Sequence, residues 1–194
     1  CKAHNDKLID LTQAYYIELD EWVGLDQTNA GSCLAYLNKN LFEPAHIPLD
    51  HIHTFNSLAK NLMEECQRAN QYISYHNGLT LTLLGVGVNG HLGFNEPGVN
   101  PNNYAHIIDL DEITQSVGKK YFDTNEILSQ GITLGIKQLM ESKIVIVEAN
   151  GAKKHEPIQK VINGDIDIMC PVTLINNHPQ AYLIVDRAVI EGDD

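Results

Sequence analysis

A hydrophobic segment that ends abruptly in a glycine-rich loop constrains this chain most. Residues 79–84 read Leu-Thr-Leu-Thr-Leu-Leu, whereas residues 85–98 are rich in Gly and Asn and include one His and one Glu. An apolar run of this length is typical of a central strand with both faces covered. Four glycines within residues 85–93 let the backbone turn tightly and approach a ligand closely. We therefore expect a buried strand that opens into a functional site.

Strand-like and helix-like segments alternate along the rest of the chain. Strands are predicted over 14–19, 52–55, 143–149 and 181–185. Helices are predicted over 28–43 with Ser32 as a cap, 57–76, part of 124–141, 152–163 and 172–177, whereas 99–110 is predicted to be irregular. This alternation predicts an α/β fold with three layers, Rossmann-like, in which helices cover both faces of a mainly parallel sheet. We interpret residues 1–194 as a single domain.

The composition argues against several classes of binding partner. The formal net charge of −12 argues against non-specific binding of nucleic acid, which needs a cationic surface. No apolar run approaches the length needed to span a bilayer, so no membrane partner is expected. The cysteines form no CxxC pair and the histidines have no metal-ligand spacing, which predicts a cytoplasmic protein with neither metal nor cofactor. The GxGxxG spacing of residues 85–90 is a weak dinucleotide signal when no long helix follows it.

Three positions carry groups suited to acid–base chemistry. His91 and Glu96 lie five residues apart in the loop, and a carboxylate beside an imidazole fixes its tautomer and favours its charged form. Such a pair can deliver a proton to a ring oxygen, or it can simply hold the loop in shape. Asp20, with Glu21 beside it, follows a predicted strand and could act as a base on a carbon acid or cap a turn. The carboxyl ends of parallel strands share one edge, which predicts that Asp20 and the loop meet there.

Two lysines are candidates to bind a phosphate. Lys154 begins a predicted helix after a glycine turn, where backbone N–H groups also favour an anion. Lys120 is the second candidate. Both could equally be solvated surface lysines.

At this point the motifs are similar to those of a known family. The loop Gly85-Val86-Gly87-Val88-Asn89-Gly90-His91-Leu92-Gly93-Phe94-Asn95-Glu96-Pro97 resembles the signature of the glucosamine-6-phosphate deaminase/isomerase family, and Leu19-Asp20-Glu21-Trp22-Val23-Gly24 resembles its earlier motif. The similarity covers nearly the whole chain. The residues of these two motifs, together with Gly131-Ile132-Thr133-Leu134-Gly135, most resemble those of the galactosamine-6-phosphate branch.

The resemblance implies a reaction and assigns roles. Galactosamine 6-phosphate would be opened, isomerised to the ketose tagatose 6-phosphate, and lose ammonia. His91, oriented by Glu96, would protonate the ring oxygen, and Asp20 would move a proton between C2 and C1. Glu21 and the backbone of Gly85 and Gly87 would contact the sugar. Lys154 matches the phosphate-binding lysine of the family, and Lys120 stands where an arginine is usual.

The chain departs from the family pattern at two places. Many relatives have Asp where Asn89 stands. Asn89 can orient the imidazole of His91 but carries no charge. Its presence favours the galactosamine branch of the family. No Gly-Ser/Ala-Thr-Pro phosphate loop precedes Asp20, so we expect this domain to lack its N-terminal strand and phosphate loop, and residues 1–194 alone to be weakly active or inactive.

Alternative functions stay open from the sequence. They are a glucosamine-6-phosphate deaminase, a 6-phosphogluconolactonase, and a non-catalytic regulator that binds a sugar phosphate. Glu96 argues for the deaminase over the lactonase. A homo-oligomer and a monomer are both compatible with the resemblance.

Overall fold

The structure is a computed structural model and describes residues 1–118 and 128–192. The strands in this part are β1 (Tyr16–Ile17), β2 (Asp20–Trp22), β3 (Ile52–His53), β4 (Leu81–Gly85), β5 (His106–Asp109), β6 (Gln130–Thr133), β7 (Ile144–Ala149) and β8 (Ala181–Val185). The α-helices are α1 (Lys2–Asn5), α2 (Cys33–Leu37), α3 (Leu62–Tyr75), α4 (Glu112–Gly118), α5 (Ile136–Met140), α6 (His155–Ile162) and α7 (Arg187–Glu191). A π-helical turn, Asn38–Phe42, continues α2.

The strands form two parallel sheets and one antiparallel sheet. Strand β1 pairs with β3, and β7 lies between β4 and β8, all in parallel. Strand β6 pairs in antiparallel fashion with both β2 and β5. The predicted α/β class with mainly parallel pairing is therefore confirmed. Asp20, however, begins the antiparallel strand β2, opposite Thr133, instead of following a parallel strand.

Strand β4 differs from its prediction because only one of its faces is covered. Leu84 is 1% exposed, whereas Leu81 and Leu83 on the opposite face are 53% and 59% exposed. The same outward face carries Tyr182 and Ile184 of β8, both more than half exposed. The buried face of the sheet packs on the main core, which includes Val145 and Val147 of β7.

Local signals place several element ends correctly. The Ser32 hydroxyl accepts the backbone N–H of Ala35, so Ser32 caps α2 as predicted. Asn77 and Gly78 adopt positive φ angles of 60° and 90° directly after α3, which ends the helix. Helix α3 begins at Leu62, five residues later than predicted.

Three strands lie where none is predicted, and the first is β2, which begins at Asp20 just after the predicted strand 14–19. Strand β5 falls within residues 99–110, which were expected to be irregular, and β6 falls within the predicted helical segment 124–141. Position 131 in β6 requires glycine, because a side chain there would collide with the ring of Phe94. Helix α5 does begin after Gly135, at Ile136.

Within the described ranges, 1–118 and 128–192, no helix is both long enough and apolar enough to cross a membrane.

Candidate active site

A cavity of about 580 Å³ lies where β4 ends and where β2 begins. Its walls include Asp20 from β2, Gly85 and Gly87 from the end of β4, His91 from the following loop, and Lys154 from the turn before α6. Three segments distant in sequence thus meet around one space, as predicted for Asp20, the loop and Lys154. A cavity of this size accommodates a small organic ligand.

Asp20 is an acidic group on the cavity wall whose carboxyl is buried. Burial raises the pKa of its carboxyl to about 6, and a hydrogen bond from the Cys33 thiol and the positive charge of His91 act in the opposite direction. Gly93, with φ +59°, lies so close that a Cβ there would be 3.0 Å from the Asp20 carboxylate. A carboxylate with a pKa near 6 can both accept and return a proton near neutral pH.

The loop after β4 closes on itself and presents the His91 ring to the cavity. The backbone N–H of Gly87 donates to the His91 carbonyl at 3.0 Å, and that of Gly90 donates to the Gly87 carbonyl at 3.0 Å. Nδ1 of His91 lies 3.3 Å from Oε2 of Glu96 and 3.3 Å from the hydroxyl of Thr114. Because Nδ1 is occupied by these two groups, Nε2 is the ring nitrogen left for a substrate atom.

Glu96 and Asn89 lie behind the imidazole and away from the cavity. Glu96 is only 4% exposed, and its Oε2 also accepts a hydrogen bond of 2.8 Å from the side-chain amide of Asn89. The same amide group donates to Asp111, and the Asn89 Oδ1 accepts the backbone N–H of His91 at 3.2 Å. The predicted orienting groups of His91 are therefore brought together, and Asn89 bridges two carboxylates.

Glu21 does not contact the cavity, which corrects its predicted place among the sugar-binding residues. Its side chain is fully buried and holds the segment that begins α2. Its carboxylate accepts hydrogen bonds from the backbone N–H groups of Trp22, Cys33 and Leu34 and from the Ser32 hydroxyl. Alternation along β2 explains the difference, since Asp20 and Glu21 point to opposite sides.

The remaining predicted site residues have mixed outcomes. Lys154 is half-buried on the cavity wall, and this burial lowers the pKa of its ammonium group. A Cβ at Gly85 would meet nothing within 4 Å, whereas one at Gly87 would lie 2.5 Å from the His91 ring. Gly87 thus leaves room for the imidazole as well as for a ligand. Lys120 lies outside the described residues.

Sequence reasoning missed Cys33, Asp111 and Thr114. Asp111 and Thr114 belong to the start of α4, more than twenty residues beyond the loop that they contact. The one local signal was the spacing of the two residues, because an aspartate three positions before a threonine at the start of a polar run is typical of a helix N-cap. That signal predicts a helix end and contains no information about His91.

The sequence matches a family model described as glucosamine-6-phosphate isomerases/6-phosphogluconolactonase over residues 2–184. It is 34% identical over 191 residues to a glucosamine-6-phosphate deaminase of Oceanobacillus iheyensis, which covers 98% of this chain and 76% of the relative. It is 35% identical to a glucosamine-6-phosphate deaminase of Staphylococcus epidermidis, over 92% of this chain and 74% of the relative.

Solved structures have the same fold. A monomeric glucosamine-6-phosphate deaminase superposes with a TM-score of 0.93 at 27% identity, over 98% of this chain and 79% of that one. The 6-phosphogluconolactonase of Trypanosoma brucei superposes with a TM-score of 0.70 at 18% identity, over 98% of this chain and 79% of that one. At that identity, the lactonase likeness concerns the fold alone.

Proposed function

The chain belongs to the family of glucosamine-6-phosphate isomerases and 6-phosphogluconolactonases, and we propose that it is an aldose–ketose isomerase and deaminase acting on a hexosamine 6-phosphate. The observation that carries this proposal is the pairing of Asp20 with His91 across one cavity, with Glu96 behind His91. A perturbed carboxylate and an oriented imidazole are the two groups that ring opening and proton transfer at carbon require.

The first step opens the sugar ring. Nε2 of His91, in its protonated form, gives a proton to the ring oxygen while the bond from that oxygen to C1 breaks. The C1 hydroxyl loses its proton to water, and C1 becomes an aldehyde. The Glu96 carboxylate, 3.3 Å from Nδ1, stabilises the imidazolium before transfer and fixes the direction of the ring. Afterwards His91 is neutral and can take the proton back.

The second step moves a proton from C2 to C1. The Asp20 carboxylate removes the C2 proton while O1 takes a proton from water, giving an enol-type intermediate. Asp20 then returns its proton to C1, so that C1 carries a primary alcohol and C2 becomes an imine carbon in its protonated form. Water then adds to this imine, and the carbon–nitrogen bond breaks to release ammonia and the ketose 6-phosphate. A pKa near 6 suits Asp20 to both halves of the transfer.

Substrate identity is the finer part of the proposal. The names of the relatives favour glucosamine 6-phosphate as the substrate. The residues of the motifs, and Asn89 in particular, favour galactosamine 6-phosphate, whose product would be tagatose 6-phosphate. Lys154 on the cavity wall is the described side chain with a fixed positive charge that suits the substrate phosphate. The predicted lack of a phosphate loop ahead of Asp20 stays a prediction, as do a homo-oligomeric state and a cytoplasmic location.

Activity assays with three substrates test the proposal. The full-length protein is incubated with glucosamine 6-phosphate, galactosamine 6-phosphate and 6-phosphogluconolactone, and ammonia, ketose phosphate and acid are followed. We expect ammonia and ketose phosphate in equal amounts from an amino sugar. Acid from the lactone alone would make the protein a lactonase, and binding without any product would make it a sugar-phosphate sensor; either result contradicts the proposal.

An isotope experiment tests the role of Asp20. In deuterated water the wild type should exchange the C2 proton of the substrate, and Asp20→Asn should lose this exchange by roughly a hundredfold or more while it still binds substrate. Asp50→Asn, a change at an exposed aspartate distant from the cavity walls, is the matched control and should exchange normally. Normal exchange by Asp20→Asn would remove Asp20 from its role.

A further inference from the structure

Asn89 makes an unusual set of contacts for a residue behind a catalytic histidine. Its side-chain NH2 group donates to two different carboxylates, Glu96 and Asp111, while its Oδ1 accepts the backbone N–H of His91. The reversed amide would place an oxygen against both carboxylates, so the amide direction is determined by its acceptors. An uncharged residue thereby joins two acidic groups next to the imidazole.

Asp111 is fixed by a second set of contacts. Its Oδ1 accepts the backbone N–H of Thr114 at 2.7 Å and caps α4, which leaves Oδ2 for Asn89. Burial raises the pKa of its carboxyl, but the hydrogen bonds from Thr114 and Asn89 outweigh burial and hold this pKa below its ordinary value. The hydroxyl of Thr114, one turn along, also lies 3.3 Å from Nδ1 of His91. The start of α4 therefore contacts both the imidazole and its supporting amide.

We propose that Asp111 is a positioning residue for His91, and that through Asn89 it supplies negative charge that Asn89 itself lacks. Because Asp111 acts through the Asn89 side chain, its charge lies farther from the imidazole than the charge of a carboxylate at position 89 would. Of the other charged or titratable groups, Glu96 lies behind the ring, and Glu18, Asp20 and Lys154 line the same cavity. Asp111 and Glu96 together favour the imidazolium that the ring-opening step requires, so this inference rests on the proposed function.

The proposal predicts that the carboxylate at position 111 and the amide at position 89 can be exchanged at a smaller cost in kcat than the two single changes imply. Asp111→Asn keeps an oxygen for Thr114 but removes the charge, and we expect kcat to fall roughly tenfold with little change in KM, as for the loss of one charge-assisted hydrogen bond. Asn89→Asp places three carboxylates together without a donor between them and should lower kcat at least as much. In the double variant, Asn89→Asp with Asp111→Asn, the amide at position 111 donates to the carboxylate at position 89, which still faces Glu96, and part of the loss should be recovered.

Asp111→Ser separates positioning from helix capping. Serine caps a helix about as well as aspartate but is uncharged and too short to reach Asn89. We expect Asp111→Ser to unfold at nearly the wild-type temperature and yet to lose kcat as Asp111→Asn does. In both variants the basic limb of the kcat/KM profile should move to lower pH, and it should return in the double variant.

Two results would overturn the inference. One is a double variant whose loss equals the product of the two single losses, and the other is wild-type kcat and pH profile in Asp111→Asn and Asp111→Ser. A readout without turnover keeps the inference distinct from the proposed function. The midpoint at which the His91 ring resonance titrates, followed by NMR, should fall in Asp111→Asn and recover in the double variant even if none of the three substrates is turned over; an unchanged midpoint would again refute the role of Asp111.

Discussion

The His91 ring occupies space that a side chain at position 87 would need. A Cβ on Gly87 would lie 2.5 Å from the ring, whereas one on Gly85 would meet nothing within 4 Å. We expect Gly87→Ala to displace the imidazole and lower kcat by about a hundredfold, the size expected for a misplaced catalytic group. Gly85→Ala is the matched control and should retain kcat, with a change confined to KM if the sugar lies against it. Equal kcat in the two variants would contradict this account.

Lys154 and Lys153 are neighbours with different surroundings. Lys154 is half-buried on the cavity wall, and Lys153 is exposed and does not line the cavity. We expect Lys154→Gln to raise KM for a hexosamine 6-phosphate by roughly tenfold, because one charge-assisted hydrogen bond to the phosphate is lost. Lys153→Gln should change KM by less than about twofold. Similar KM values in both variants would exclude Lys154 from phosphate binding.

The sequence locates the residues of the candidate site that belong to continuous motifs. Asp20, His91 and Glu96 stand in runs whose composition changes sharply, and the structure brings all three to one place. Asp111 could not be found in this way, because its contact with Asn89 spans 22 residues and depends on how α4 packs beside the loop. Glu21 was misplaced for a related reason: its neighbour Asp20 faces the cavity, and only the strand geometry separates the two.

At the scale of elements, the segment from β1 to α2 depends on two buried carboxyl groups with opposite tasks. Glu21 accepts three hydrogen bonds at the start of α2 and a fourth from the backbone N–H of Trp22. Glu18 accepts the backbone N–H of Phe55 at 2.9 Å through Oε2, while its buried Oε1 has no hydrogen-bond partner in the described part of the chain. Burial, and then the negative charge of Glu21, raise the pKa of the Glu18 carboxyl well above its ordinary value. Burial and this neighbouring charge therefore favour the neutral form of Glu18.

Replacing each of these two glutamates by glutamine should have opposite effects on stability. The native state keeps the Glu18 proton where the unfolded chain releases it, so the free energy of unfolding falls as pH rises above the unfolded pKa of about 4.3. Glu18→Gln imitates the neutral acid and should become more stable relative to wild type as pH rises from 5 to 8. Glu21→Gln leaves N–H donors without an acceptor and should cost about 2–4 kcal/mol at pH 7. Urea unfolding of both variants across this pH range measures the difference, and matching curves would contradict it.

Strands β5 and β6 show where local patterns fail. Residues 99–110 are rich in Asn and Pro, and Gly131 interrupts the apolar pattern of β6. Gly131 is required because Phe94 packs against its backbone, a contact between distant segments that no local propensity contains. By contrast, the caps at Ser32 and Asn77-Gly78 involve neighbouring residues only, and for that reason they were predictable.

At the scale of the molecule, the sheet formed by β4, β7 and β8 has an uncovered apolar face. Leu81, Tyr182 and Ile184 are each more than half exposed on it. Contiguous apolar surface promotes association, so we expect Ile184→Lys to reduce self-association at high protein concentration, as measured by light scattering. Leu49→Lys adds the same charge at an isolated residue that is 87% exposed and should have a smaller effect. If both variants reduced self-association equally, the added charge and not the apolar face would account for the change.

Trp22 gives the protein a built-in optical probe. It is the only tryptophan in the chain, it lines the cavity, and its ring lies 4.7 Å from that of Phe94 in an edge-to-face arrangement. Intrinsic emission excited near the red edge of the indole band therefore comes from a single position next to Asp20. Ligand titrations and stopped-flow traces can be followed without a label, and a spectral change on adding a sugar phosphate reports an event at the site itself.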